Sequence, residues 1–312
     1  MNDEPSDGAD FRSYGARAGI TALNLIAPGL GLLRVGNWRA GVILLMAPPA
    51  LMALTTLAMG HLPISGYRQI IIALAVIVSA AGAIYVASGV MTWRQSKRFT
   101  PARGWSRWYG LTAVATFVLI LSPFETHLLH RFYKPFFAPS ESMAPTIGKG
   151  DKFLANMMFR GPFKRGDIII FTARDGIRIS RIAGIAGDSI AVQAGVPILN
   201  GKAALQTAHG RTEFVRSDGP ESGAVLNEQL PGEASPHRIY DIGPSPYDDM
   251  PEVVVPSGHL FVLGDNRDRS ADSRVPPEFD GVGMVPWTSV IGRPMYIHWS
   301  SDHAKVGTRL DQ

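Results

Sequence analysis

The segment Pro139-Ser140-Glu141-Ser142-Met143-Ala144-Pro145-Thr146 sets two hydroxyls two residues apart between rigidifying prolines. It comes just after a hydrophobic stretch and just before a β-rich region. A Ser held stiffly at such a place suggests a nucleophile close to a bilayer. A lone Ser-x-Ser is as well explained by two hydroxyls capping a turn before Pro145. The chain has no Cys, which excludes thiol catalysis, Cys-ligated zinc and disulfides.

Three further segments follow in order. They are Lys164-Arg165-Gly166-Asp167-Ile168-Ile169-Ile170-Phe171, then Arg178-Ile179-Ser180-Arg181-Ile182-Ala183-Gly184-Ile185-Ala186-Gly187-Asp188, then Gly264-Asp265-Asn266-Arg267-Asp268-Arg269-Ser270-Ala271-Asp272-Ser273-Arg274. The Ser142 segment resembles the Ser-Met-x-Pro-Thr box of type I signal peptidases, the membrane-bound serine endopeptidases that remove secretory signal peptides. The other three resemble the family's Arg-Gly-Asp-Ile-Val-Val-Phe, Tyr-Ile-Lys-Arg-Val-Val-Gly-Leu-Pro-Gly-Asp and Gly-Asp-Asn-Arg-Asp-Asn-Ser-x-Asp-Ser-Arg. Gly283-Met284-Val285-Pro286 continues the family's Gly-Phe-Val-Pro. The resemblance covers about residues 136–300.

The resemblance implies Ser142 as nucleophile. It implies that Ser140 and the backbone N–H of Ser142 are the donors that stabilise charge on the scissile carbonyl oxygen. Ser270 is carried over as the residue that orients the catalytic Lys. Asp265 is expected to pair with Arg181, and Asp272 with Arg274, as scaffold. The sequence departs from the family at the general base. The family's Lys, kept neutral by burial, is replaced here by Ser180. A hydroxyl is not basic near neutral pH. Lys149 and Lys152 are close in sequence to Ser142.

The elements that must position these residues are of two kinds. Of the 312 residues, 46% are hydrophobic, and the apolar content is concentrated before residue 130. Met1 to Asp10 is polar and acidic and reads as a disordered tail. Ala40 to Met59, Gln69 to Trp93 and Trp108 to Phe124 (with a continuation to Leu129) are uncharged and read as three membrane spans. The first contains a Pro48-Pro49 pair expected to kink it. Ala18 to Leu33 is uncharged too, but Pro28-Gly29 breaks it, so it reads as interfacial or re-entrant. Residues 1–39 thus form a cytoplasmic tail and interfacial segment, 40–129 the spans, and 130–312 an extracytoplasmic domain. Arg94, Lys97, Arg98, Arg103 and Arg107 cluster in the loop before the third span. That is the positive-inside signature, which leaves the C-terminal domain outside a bacterial cytoplasmic membrane. A basic cluster between apolar runs is not a nucleic-acid surface.

From residue 135 the pattern is that of β-structure. Ile168–Phe171, Ser189–Val192, Glu252–Val255 and Leu260–Leu263 are short runs rich in β-branched residues. Asn200-Gly201 is a hairpin turn signal. Residues 203–250 show little periodicity and read as a loop-rich insertion. The expected fold is N-terminal transmembrane helices followed by a mainly-β, antiparallel catalytic domain like that of signal peptidases. Met157-Met158-Phe159 and Pro162-Phe163 fit either a surface dipping into the bilayer or ordinary core.

Two functions remain open at this level. The first is an endopeptidase that removes signal peptides from preproteins after small residues (Ala-x-Ala), with an unusual base. The second is a catalytically impaired homologue that binds signal peptides or assists an active paralogue. Either has signal peptides and the lipid bilayer as partners, and neither requires a cofactor or a metal. A transporter reading lacks the acid or base inside the spans that a transport path needs.

Overall fold

The computed structural model describes residues 14–59, 67–98, 107–216 and 219–311. The acidic segment Met1–Asp10 and most of the basic 94–107 loop lie outside them. The chain divides into a helical unit ending at His130 and a β-rich unit beginning at Arg131.

In the helical unit α1 (Tyr14–Ala22) and α2 (Leu30–Arg34) are short. At about 1.5 Å per residue neither can cross a bilayer. Pro28 separates them, and Gly29 adopts a left-handed φ of 95°. A Cβ on Gly29 would stand 2.2 Å from the carbonyl oxygen of Gly41, so α2 packs backbone to backbone against the next helix. The broken turn is buried, and Asn24 satisfies it. Its Oδ1 accepts from Gly29 N, Gly31 N and Ser88 Oγ, while its Nδ2 donates to Thr21 O and Thr92 Oγ1. Irregular backbone tolerates an apolar setting only when its polar groups are paired in this way.

Three long helices follow: α3 (Trp38–Met59), α4 (Tyr67–Gln95) and α5 (Trp108–Leu129). Pro48 and Pro49 lie inside α3, which continues through them. Trp38–Thr55 and Ile71–Gln95 are long and apolar enough to cross a membrane. The third expected span falls on α5, 22 residues long. Asn37 Nδ2 donates to Gln95 Oε1 at 3.0 Å, so the start of α3 and the end of α4 lie at one end of the unit. Arg17 joins them there, stacked 4.0 Å over the Trp93 ring and bonded to Ser96 Oγ.

The β-rich unit contains, in chain order, β1 (Tyr133–Phe137), β2 (Lys152–Asn156), β3 (Ile168–Ala173), β4 (Gly176–Ile185), β5 (Ser189–Gln193), β6 (Val196–Leu199) and β7 (Lys202–Ala203). Then come β8 (Leu205–Arg216), β9 (Gly219–Gln229), β10 (His237–Asp241), β11 (Met250–Val254), β12 (His259–Leu263), β13 (Val285–Pro286) and β14 (Val290–Trp299). A seven-stranded antiparallel sheet has the order β1-β2-β14-β3-β4-β12-β13. The run Ile168–Phe171 is apolar throughout because β3 is buried on both faces. Ile168 and Ile170 pack with Met143, Ile147 and Phe153, while Ile169 and Phe171 pack with Ile182, Leu260 and Val262. A smaller sheet, β11-β5-β6-β7, closes a third cluster around Phe261 and Leu263. Asn200 and Gly201, both at positive φ, make the turn from β6 to β7.

The loop-rich reading of 203–250 is corrected. Most of that segment is a three-stranded antiparallel sheet, β10-β9-β8, whose long hairpin pairs Leu205 with Gln229 and Arg216 with Gly219. Its stability comes from cross-strand pairing. Its glycines and charged residues hide the alternation by which a strand is normally read. Phe159 and Phe163 pack against the sheet and against each other, ring centroids 5.7 Å apart, whereas Met158 is exposed.

Candidate active site

Ser142 lies in the turn after β1. Its neighbours anchor it: Met143 and Ile147 are buried in the core, and Ile147 N donates to Met143 O at 2.8 Å. Ser142 Oγ is 3.1 Å from Ser140 Oγ. That hydroxyl is the hydrogen-bond partner of Ser142 Oγ.

Three bonds tie this turn to the segment after β12. Asn266 N donates to Ser142 O at 3.0 Å. Thr146 Oγ1 donates to the Asp265 carboxylate. Arg269 Nη1 pairs with Glu141 Oε2 at 2.7 Å. The approach is so close at Gly264 that a Cβ there would stand 2.1 Å from Ser270 Oγ and 2.6 Å from Ser142 O. β12 also fixes β4. Leu263 pairs with Arg181, the residue after Ser180. Ser142 and Ser270 thus meet at one glycine. Ser180 itself is buried, opposite Ile169 of β3.

The scaffold is ionic. Arg181 and Asp265 form a buried bidentate pair, with Nε to Oδ1 at 2.8 Å and Nη2 to Oδ2 at 2.6 Å. Arg181 Nη1 also donates to Gly166 O, which holds the turn into β3. Burial disfavours the Asp265 carboxylate, yet the Arg181 guanidinium and the Thr146 hydroxyl hold it below its ordinary range. Arg274 grips Asp272 with two bonds of 2.9 Å, and Asp272 Oδ2 accepts from Gly264 N. Both pairs are buried and leave the loop few alternative conformations.

A third buried pair was not foreseen. Arg267 forks onto Glu228 of β9, and Gln206 donates to the same carboxylate. Glu228 pairs in register with His237 across β9 and β10, and the His237 Nε2 lies 3.5 Å from its Oε1. The His237 Nδ1 meets Glu233 Oε1 at 2.8 Å. Burial, with Arg181 nearby, works against the imidazolium. The carboxylates of Glu228 and Glu233 outweigh this and raise the His237 pKa. Burial likewise opposes ionisation of Glu228, but Arg267 and His237 hold its pKa well below the ordinary value. The only local signal would have been recognition of β9 and β10 as a hairpin about Pro231-Gly232. Lys305 was missed too. Its Nζ donates to Pro145 O at 2.7 Å, three residues from Ser142. Lys152, by contrast, lies 5.0 Å over the Trp299 ring, and Lys149 is exposed.

A turn-borne Ser with a second hydroxyl beside it thus stands on an antiparallel sheet above buried ion pairs. The family model described as "Signal peptidase, peptidase S26" matches residues 107–299, and the chain belongs to that family. It is 32% identical over 165 residues to signal peptidase I U of Bacillus subtilis (strain 168), covering 52% of this chain and 73% of that protein. To signal peptidase I of Rickettsia typhi (strain ATCC VR-144 / Wilmington) it is 28% identical over 200 residues, covering 54% and 72%. A crystal structure of a signal peptidase I from Enterococcus faecalis V583 aligns at 23% identity with a TM-score of 0.24, covering 43% of this chain and 97% of that one.

Proposed function

We propose that this peptidase removes signal peptides from secreted preproteins after small residues, at Ala-x-Ala sites, on the outer side of a bacterial cytoplasmic membrane. Ser142 Oγ attacks the scissile carbonyl. The Ser142 N–H and the Ser140 hydroxyl receive the developing oxyanion. The observation that carries this reading is the fixed Ser140–Ser142 pair, 3.1 Å apart, on a turn clamped by Asn266 and Asp265. With Ser180 in the base position, the Ser142 proton passes to solvent. The scissile C–N bond breaks as water protonates the leaving amine, and a second water hydrolyses the acyl-enzyme to free Ser142. The rate then rests on oxyanion stabilisation and binding, a residual ~10³–10⁴-fold over water.

The multi-pass topology follows from the charges. The Arg17 segment and the end of α4 share one end of the helical unit, with α3 and α4 forming a hairpin between them. That end carries the basic residues, which supports its being cytoplasmic.

One observation favours a second reading, a homologue that binds signal peptides without cutting them. The partner of Ser142 Oγ is a hydroxyl, and the residue in the base position is a buried Ser. Incubating the purified full chain with a preprotein separates the two. Slow cleavage at one Ala-x-Ala site, lost in Ser142→Ala, is the expected result. Binding of the preprotein with no cleavage would establish the second reading instead.

A further inference from the structure

The helical unit contains a cavity of about 490 Å³ between α1, α2 and α5. Leu23, Ile26 and Leu30 line it on one side, and Leu111 and Ala115 of α5 on the other. Arg34, the last residue of α2, and Arg107, just before α5, complete the lining. No lining residue is acidic. Residues 11–124 contain no Asp or Glu at all, against ten Lys and Arg. The rim is apolar and exposed: Ile26 is 61% and Trp108 76% accessible.

We infer that this cavity binds an anionic phospholipid, with an acyl chain along the Leu23–Leu30 and Leu111–Ala115 walls and the phosphate at Arg34 and Arg107. The volume is that of a ligand pocket. A soluble anion would not require the greasy rim. A second transmembrane helix would not require two guanidiniums. A basic recess between membrane helices has the chemistry of a lipid headgroup site, and Trp108 sits where an interfacial Trp belongs.

The full chain would be reconstituted in nanodiscs holding equal phosphatidylglycerol and phosphatidylcholine, then released for native mass spectrometry. Phosphatidylglycerol should be retained over phosphatidylcholine by roughly thirtyfold, about fivefold for each of two basic side chains. The combined Arg34→Gln and Arg107→Gln variant should retain both lipids alike. Arg68→Gln, at the opposite end of α4, should keep the preference. Ala115→Trp, which fills the cavity and keeps both charges, should lose bound lipid. Circular dichroism would confirm helix content in each variant. Equal retention of the two lipids by the unaltered protein, which depends on no variant, overturns the inference. So does a preference that survives the double substitution, or one that Arg68→Gln abolishes as fully.

Discussion

The backbone N–H of Asn266 donates to the carbonyl oxygen of Ser142 at 3.0 Å, across 124 residues of chain. This bond aims the nucleophile. It fixes the Ser142 carbonyl to the segment after β12. Gly264, two residues before Asn266, allows the approach because it has no side chain.

Gly264→Ala tests that approach. Its Cβ would fall 2.6 Å from the Ser142 carbonyl, which is backbone, and 2.1 Å from Ser270 Oγ. One of them must move. Overpacking of this kind costs about 1–3 kcal/mol, read as a lower urea midpoint with an unchanged slope. Any cleavage should fall further than this loss of stability accounts for, because the turn itself is displaced. A variant as stable and active as the original would show that the loop tolerates a wider seam.

Ser142→Ala should abolish cleavage of a preprotein. Ser140→Ala should slow it by on the order of 10²–10³, the loss of one oxyanion donor. Single-turnover assays distinguish the two. Unchanged turnover in Ser142→Ala would mean that another group is the nucleophile.

Ser180→Lys should restore a base. Position 180 is buried in β4, next to the Arg181 that pairs with Leu263, and burial lowers a Lys pKa by desolvation. We expect cleavage after Ala-x-Ala to rise by at least ~10²-fold. An unaltered protein already as fast as the variant would reveal a different base, for which Lys305 is the first residue to replace. A folded but inactive Lys variant would show that the site has drifted beyond repair by one residue.

The ionic layer under the site predicts a pH profile of stability. The raised pKa of His237 stabilises the fold fully below its ordinary value of 6.5, and that contribution is lost as pH rises through the folded value. The lowered pKa of Glu228 does the opposite. Its contribution is present above the ordinary 4.5 and lost as pH falls through the folded value. The thermal midpoint should therefore be highest between about pH 4.5 and 6.5 and decline on both sides. His237→Gln should flatten the alkaline decline and lessen the acid one without removing it, because Arg267 still holds the Glu228 carboxylate. An alkaline decline of undiminished size in that variant would assign it to other groups.

A reporter that is active only outside the cytoplasm should work when fused after Gln312 and fail when fused near Lys97. The reverse pattern would invert the topology and remove the protein from its proposed substrates.

The apolar helices, the strands with β-branched runs, the serine turn and the Asp272–Arg274 pair were legible in the sequence, because each depends on local composition or on a box whose members stand a few residues apart. The Arg181–Asp265 pair joins two boxes 84 residues apart and was expected only from the family resemblance. Only the tertiary structure decided the rest. The β8–β9 hairpin holds together through pairing between residues up to 24 apart, from Leu205 to Gln229, and its side chains carry little of that information. Glu228 and His237 matter because that pairing sets them opposite each other, beneath Arg267. Lys305 meets Pro145 because the end of the chain folds back onto the turn. A buried charge announces in sequence that it needs a partner, since an unpaired one costs several kcal/mol. Which residue answers depends on where the strands bring the chain together.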